Sequence, residues 1–67
     1  MEFTPGTRYR FRPKPGKYVQ KADVAEYHAR TLTYLRDEFI HHIFRLRGGA
    51  LECFTDIQAG DYLITKI

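Results

Sequence analysis

Thr31-Leu-Thr-Tyr-Leu-Arg-Asp-Glu-Phe-Ile-His-His-Ile-Phe-Arg-Leu-Arg47-Gly48-Gly49-Ala50-Leu-Glu-Cys-Phe-Thr-Asp-Ile57 decides the fold, because the stretch reads in two ways. As part of a helix from Asp23 to Arg47, it places Val24, Leu32, Leu35, Phe39, Ile43 and Leu46 within a stripe about 100° wide. Gly48 then serves as the C-cap. This reading is α+β, one long helix over residues 23–47 packed on a three- or four-stranded sheet. As strands, the stretch gives Arg30–Leu35, a tight turn near Arg36-Asp37-Glu38, Phe39–Arg47, a Gly48-Gly49 turn and a return strand Ala50–Ile57. The residue types favour strands. β-Branched and aromatic side chains lose rotamer freedom in a helix and pack well on a pleat, and Gly-Gly between apolar runs is a hairpin signal.

With Gly48 and Gly49 as the two turn residues, Arg45 faces Glu52, Phe44 faces Cys53, Ile43 faces Phe54 and His41 faces Asp56. One face of this hairpin carries Ile40, His42, Phe44, Leu46, Leu51, Cys53, Thr55 and Ile57 and is the expected core. The other carries His41, Ile43, Arg45, Arg47, Ala50, Glu52, Phe54 and Asp56. A slip of one residue exchanges these assignments.

Outward from the hairpin, Thr7 to Arg12 alternates Thr7, Tyr9 and Phe11 with Arg8, Arg10 and Arg12, the period of a half-buried strand. Pro13-Lys14-Pro15-Gly16 ends that pairing. Lys17–Gln20 has the composition of a short strand, and Asp23-x-x-Glu26 has the spacing of a capping box. Gln58–Asp61 reads as a turn and Tyr62–Ile67 as a closing strand.

This order is mostly β. A strand, a basic loop, two hairpins, a brief turn and a final strand resemble the Src-homology-3-like small barrel of about five strands. Residues 30–64 also resemble small uncharacterised phage and prophage proteins of Gram-positive bacteria. The resemblance implies a fold and carries no known active site. Peptide-binding members of the fold use a Trp and an acidic loop. This chain has no Trp, and its Pro13–Lys21 loop is basic.

Sixty-seven residues imply one domain, residues 1–67, and 43 % hydrophobic content with 28 % charged residues argues against disorder. The net charge of +3 is uneven: residues 1–36 carry a net of +5 and residues 37–67 a net of −2. The one cysteine, Cys53, cannot form an internal disulfide, so a cytoplasmic setting is expected. The first twenty residues show no signal-peptide pattern, and no apolar run approaches the ~20 residues of a membrane span.

Enzymatic chemistry finds little footing. There is no serine, and Cys53 is expected to be a small buried thiol. A barrel of this size is expected to leave no room for a small-molecule substrate pocket of several hundred Å³. Adjacent His41 and His42 lack the spacing of zinc ligands, so no metal and no cofactor is expected. His41 is expected to pair with Asp56, and His42 with a neighbour such as Thr55. The expectation is therefore a non-enzymatic binding module. Its first candidate surface is a patch for a protein partner or a second copy, made of Ile43 and Phe54 and rimmed by Arg45 and Glu52. The second is a nucleic-acid surface made of Arg8, Arg10, Arg12, Lys14 and Lys17. The strand arginines stand about 7 Å apart, close to the phosphate spacing of one nucleic-acid strand. Tyr9, Phe11 and Tyr18 lie between these cations and suit base stacking if exposed.

Overall fold

A computed structural model describes residues 2–17 and 31–67. Five strands form one antiparallel sheet: β1 (Arg8–Pro13), β2 (Thr31–Glu38), β3 (His41–Arg45), β4 (Leu51–Phe54) and β5 (Tyr62–Lys66), with a helical turn α1 (Asp56–Ala59) before β5. The strand order is β4-β3-β2-β1-β5. The mostly β reading stands, and strands β2 and β3 occupy the stretch that a long helix would have used. The expected readings of residues 18–30, including Tyr18 and the capping box, lie outside the described residues.

The barrel is corrected to an open sheet. β4 and β5 are its two edges, and no ladder joins them among the described residues. α1 packs against both edge strands, and its own Ala59 is fully buried there. Thr55 caps this turn: its hydroxyl accepts from the Gln58 amide at 3.2 Å, while the Gln58 side chain accepts from the Thr55 amide at 2.9 Å. The reciprocal pair satisfies two amides that a helix start otherwise leaves orphaned.

Two Pro-Gly turns bracket β1. Gly6 and Gly16 have φ of 81° and 79°, and each follows a proline in a four-residue turn closed by a hydrogen bond, Thr7 to Thr4 at 3.1 Å and Lys17 to Lys14 at 3.1 Å. Proline pre-sets the second turn position and only glycine enters the third without strain. The first turn also docks the N-terminal segment, with the Gly6 amide donating to the Tyr34 carbonyl at 2.9 Å.

The β3–β4 hairpin differs from expectation by one residue. His42 faces Phe54, Ile43 faces Cys53, Phe44 faces Glu52 and Arg45 faces Leu51. The loop contains three residues, Arg47, Gly48 and Gly49, because Leu46 and not Arg47 pairs with Ala50: its amide donates to the Ala50 carbonyl at 2.8 Å. The Gly49 amide returns to the Leu46 carbonyl at 2.9 Å, and Gly49 takes φ 97°. This is a turn closed by a residue in the left-handed region, the usual construction of three-residue hairpins. The slip keeps the expected core face of β3 but inverts β4. Phe54 turns inward, while Leu51, Cys53 and Ile57 are exposed and Thr55 is only half-buried. The expected buried thiol of Cys53 is therefore overturned.

β2 extends through Glu38, so its turn is Phe39-Ile40 rather than Arg36-Asp37-Glu38. A bulge lies between Tyr34 and Arg36: Tyr34 faces Phe44, and Arg36 faces Ile43. Phe39 occupies the left-handed region at φ 57° with its ring 95 % exposed.

One face of the sheet holds an aromatic core. Tyr9, Phe11, Leu32, Tyr34, Phe44, Leu46, Phe54, Ala59 and Tyr62 form it, with Phe3 and Ile64 packed against it. Phe44 is fully buried and its ring meets those of Phe3 (5.0 Å), Phe11 (5.1 Å), Tyr34 (5.4 Å), Phe54 (5.7 Å) and Tyr9 (6.3 Å), mostly edge to face. Such pairs add to burial because ring edges and faces carry opposite partial charge. Phe44→Ala is expected to cost about 3–5 kcal/mol, enough to unfold much of a domain this small. Phe39→Gly is expected to stabilise by about 0.5–1 kcal/mol, since it relieves left-handed strain and loses no buried surface. Denaturant midpoints of the two variants should move in opposite directions.

Candidate functional site

The alternation of β1 sends Tyr9 and Phe11 into the core, 7 % and 0 % exposed, and leaves Arg8, Arg10 and Arg12 exposed on the opposite face. The expected arginine stripe is therefore present, but the rings between the arginines are sealed away. Tyr9 and Phe11 offer no surface for base stacking. Lys14 is half-buried and its amide donates to the Asp61 carbonyl at 3.0 Å. The Lys17 ammonium lies 3.5 Å from Asp61, which offsets part of its charge. Of the five expected cations, the three arginines make the face.

The structure adds residues that the sequence reading left apart. Arg8 faces Thr33 on β2, and Thr33 faces Arg45 on β3, so the three form one row across three strands. Arg10 faces Thr31, and Arg47 follows Arg45 by two residues beside it. The face thus carries Arg-x-Arg on β1, Thr-x-Thr on β2, Arg45 at the end of β3 and Arg47 in the loop that follows. Arg8, Thr31, Thr33, Arg45, Leu46 and Arg47 line an open surface cleft of about 360 Å³. Arg8, Arg10, Arg12, Arg45 and Arg47 have no ion-pair partner among the described residues. Arg8, Arg45 and Arg47 stand with Thr31 and Thr33 at the cleft, and Arg10 and Arg12 continue the exposed face along β1; guanidinium and hydroxyl donors are the groups that suit an anion with several acceptor oxygens.

The Ile43/Phe54 patch does not form. Phe54 is 5 % exposed and stacks on Phe11 at 4.9 Å; Ile43 is also 5 % exposed. Arg45 faces Leu51 while Glu52 faces Phe44, so the expected rim pair is separated. The extra loop residue is the cause. It also leaves Arg45 free of its expected acid.

A second constellation lies at the other end of the β2–β3 hairpin. His42, 8 % exposed, sits between two carboxylates: Nδ1 is 2.6 Å from Asp37 Oδ1 and Nε2 is 2.6 Å from Asp56 Oδ1. The Tyr34 hydroxyl donates to the same Asp37 oxygen at 2.6 Å, and Phe3 packs edge-on against the imidazole at 5.2 Å. His42 thus takes the Asp56 contact expected of His41, and Asp37 takes the place expected of Thr55. Both changes follow from the register slip and from the bulge, which turns Asp37 toward His42. The clamp ties the hairpin to α1. With both nitrogens engaged, the ring has none left to accept a substrate proton.

The charges follow from this geometry. Burial opposes an imidazolium at His42, but hydrogen bonds and charge from Asp56 and Asp37 outweigh it, so its pKa is raised. Asp37 is held below the usual carboxylate range by the Tyr34 and His42 hydrogen bonds, and Asp56 by His42. Burial, then the Asp37 bond, pushes the Tyr34 phenol up to about 12.

No protein-family model, curated protein or solved structure matches the chain.

The raised His42 pKa makes its contribution to stability complete below the ordinary histidine value near 6.5 and lost as pH rises through the folded pKa. The depressed aspartates contribute above their ordinary value of 3.8, and that part is lost as pH falls through their folded values. The melting temperature should therefore be highest between about pH 4 and 6.5 and decline on both sides. His42→Gln should remove the decline on the alkaline side.

Proposed function

We propose that the chain is a non-enzymatic binding module that holds nucleic acid by its phosphate backbone, through the outer face of β1, β2 and β3. The observation that carries this reading is the set of five arginines without carboxylate partners among the described residues, with Arg8, Arg10 and Arg45 in register with Thr31 and Thr33. Guanidiniums at strand spacing match phosphate spacing, and threonine hydroxyls add donors that tolerate any base sequence. Because Tyr9 and Phe11 are buried, neither ring supplies the stacking surface that single-strand binders use. Duplex is the favoured form. The succession of β1, two hairpins, a helical turn and β5 supports the Src-homology-3-like reading, as an open sheet. A phage or prophage origin rests only on the likeness of residues 30–64. The protein-partner reading loses its support with the burial of Ile43 and Phe54.

Fluorescence anisotropy with a mixed-sequence 20-base-pair duplex tests the proposal. Binding should weaken with salt, with a log–log slope of about −3 to −5, since each neutralised phosphate contributes about −0.9. Arg10→Ala should weaken binding similarly across sequences and reduce the slope by about one. Absence of binding at low salt would falsify the reading.

A further inference from the structure

The basic face is not flat. Arg8, Thr33 and Arg45 occupy one register row, and neighbouring strands lie about 4.8 Å apart, so the two arginine backbones stand about 10 Å apart with a short threonine between them. Long side chains on either side of a short one make a trough. Thr31 continues its floor, Arg47 adds a third guanidinium and Leu46 lines it as well, giving the cleft of about 360 Å³.

The donor count in this trough exceeds what an internal phosphodiester can use. A diester presents one charge and two unbridged oxygens. Three guanidiniums supply three charges and up to five N–H groups each, and the hydroxyls of Thr31 and Thr33 add two donors. A phosphomonoester, with a charge near −2 at neutral pH and three terminal oxygens, fits that supply better. The volume also exceeds that of a phosphate group and lies in the range of small-ligand sites. Among the described residues no acid lines the cleft.

We propose that this cleft is a subsite for a phosphomonoester dianion, the terminal phosphate of a nucleic-acid strand or of a free nucleotide. The inference rests on the phosphate-binding reading of the same face. Arg8 and Arg45 close on the phosphate from opposite sides, the threonine hydroxyls donate from the floor, and Arg47 meets the remaining oxygen. Arg10 and Arg12, outside the cleft lining, contact internal phosphates of the same strand.

Two duplexes of identical sequence, one with 5′-phosphate ends and one with 5′-hydroxyl ends, test the assignment in a direct binding titration. Adenosine monophosphate and adenosine serve as competitors. The phosphorylated duplex should bind about tenfold more tightly, the value of one additional charge-assisted contact. Adenosine monophosphate should compete and adenosine should not. Thr33→Val, which keeps a β-branched shape and removes the hydroxyl, and Arg45→Ala should erase most of the difference. Arg12→Ala should weaken both duplexes equally and preserve their ratio. Circular dichroism of each variant checks that the sheet is retained. If adenosine monophosphate binds but the two duplexes are equivalent, the subsite stands and its ligand is the free nucleotide. Equal duplex affinities with no competition by adenosine monophosphate overturn the subsite and leave the backbone-binding face intact. Binding to neither duplex, with no binding of adenosine monophosphate, overturns both.

Discussion

The register of the β3–β4 hairpin governs the rest of this molecule. Its loop holds three residues, with Gly49 at φ 97°, a conformation that a β-carbon disfavours. That one extra residue turns Phe54 inward to stack on Phe11 and puts Glu52 on the opposite face from Arg45. It also brings Asp56, just beyond the strand, to His42 instead of His41. The place of Phe54 in the core, the Asp56 half of the clamp and the separation of Arg45 from Glu52 all follow from this one turn geometry.

Much of the architecture is legible in local pattern. The alternation of Arg8 to Arg12 marks β1 and its exposed arginines, and β-branched and aromatic types mark β2 and β3. Register is not legible in the same way. Two consecutive glycines permit either a two- or a three-residue loop, and β4 offers Leu51 and Cys53 on one side against Phe54 on the other. Neither side is polar enough to forbid the core. What decides is the tertiary fit of Phe54 against Phe11 and Phe44, rings distant in sequence. The bulge after Tyr34 carries no glycine or proline to announce it. The Arg-x-Arg, Thr-x-Thr, Arg-x-Arg pattern is plainly written in the chain, yet it becomes a site only once β1 is known to lie beside β2, across a long intervening segment.

A chain of 67 residues with one cysteine cannot draw on internal disulfides for stability. Aromatic packing supplies the alternative. Phe44 gathers five other rings, and the N-terminal segment contributes one of them, Phe3, which also meets His42. The core and the clamp therefore share a residue from outside the sheet, and the Pro5-Gly6 turn sets the path by which it arrives.

The bulge between Tyr34 and Arg36 has a consequence for how charge is sorted. In an uninterrupted strand, side chains three apart point to opposite faces. Tyr34 and Asp37 are three apart, yet they share a face and a hydrogen bond, because the added residue inverts the parity of the strand at that point. Before the inversion β2 contributes Thr31 and Thr33 to the arginine face; after it, the strand sends Asp37 to the histidine and Arg36 outward to Glu38, at 2.7 Å. Restoring strict alternation would send Asp37 to the outer face and Arg36 toward the core. The bulge acts as a phase shifter that keeps the threonines of β2 beside the arginines and delivers Asp37 to His42 on the other side of the same sheet.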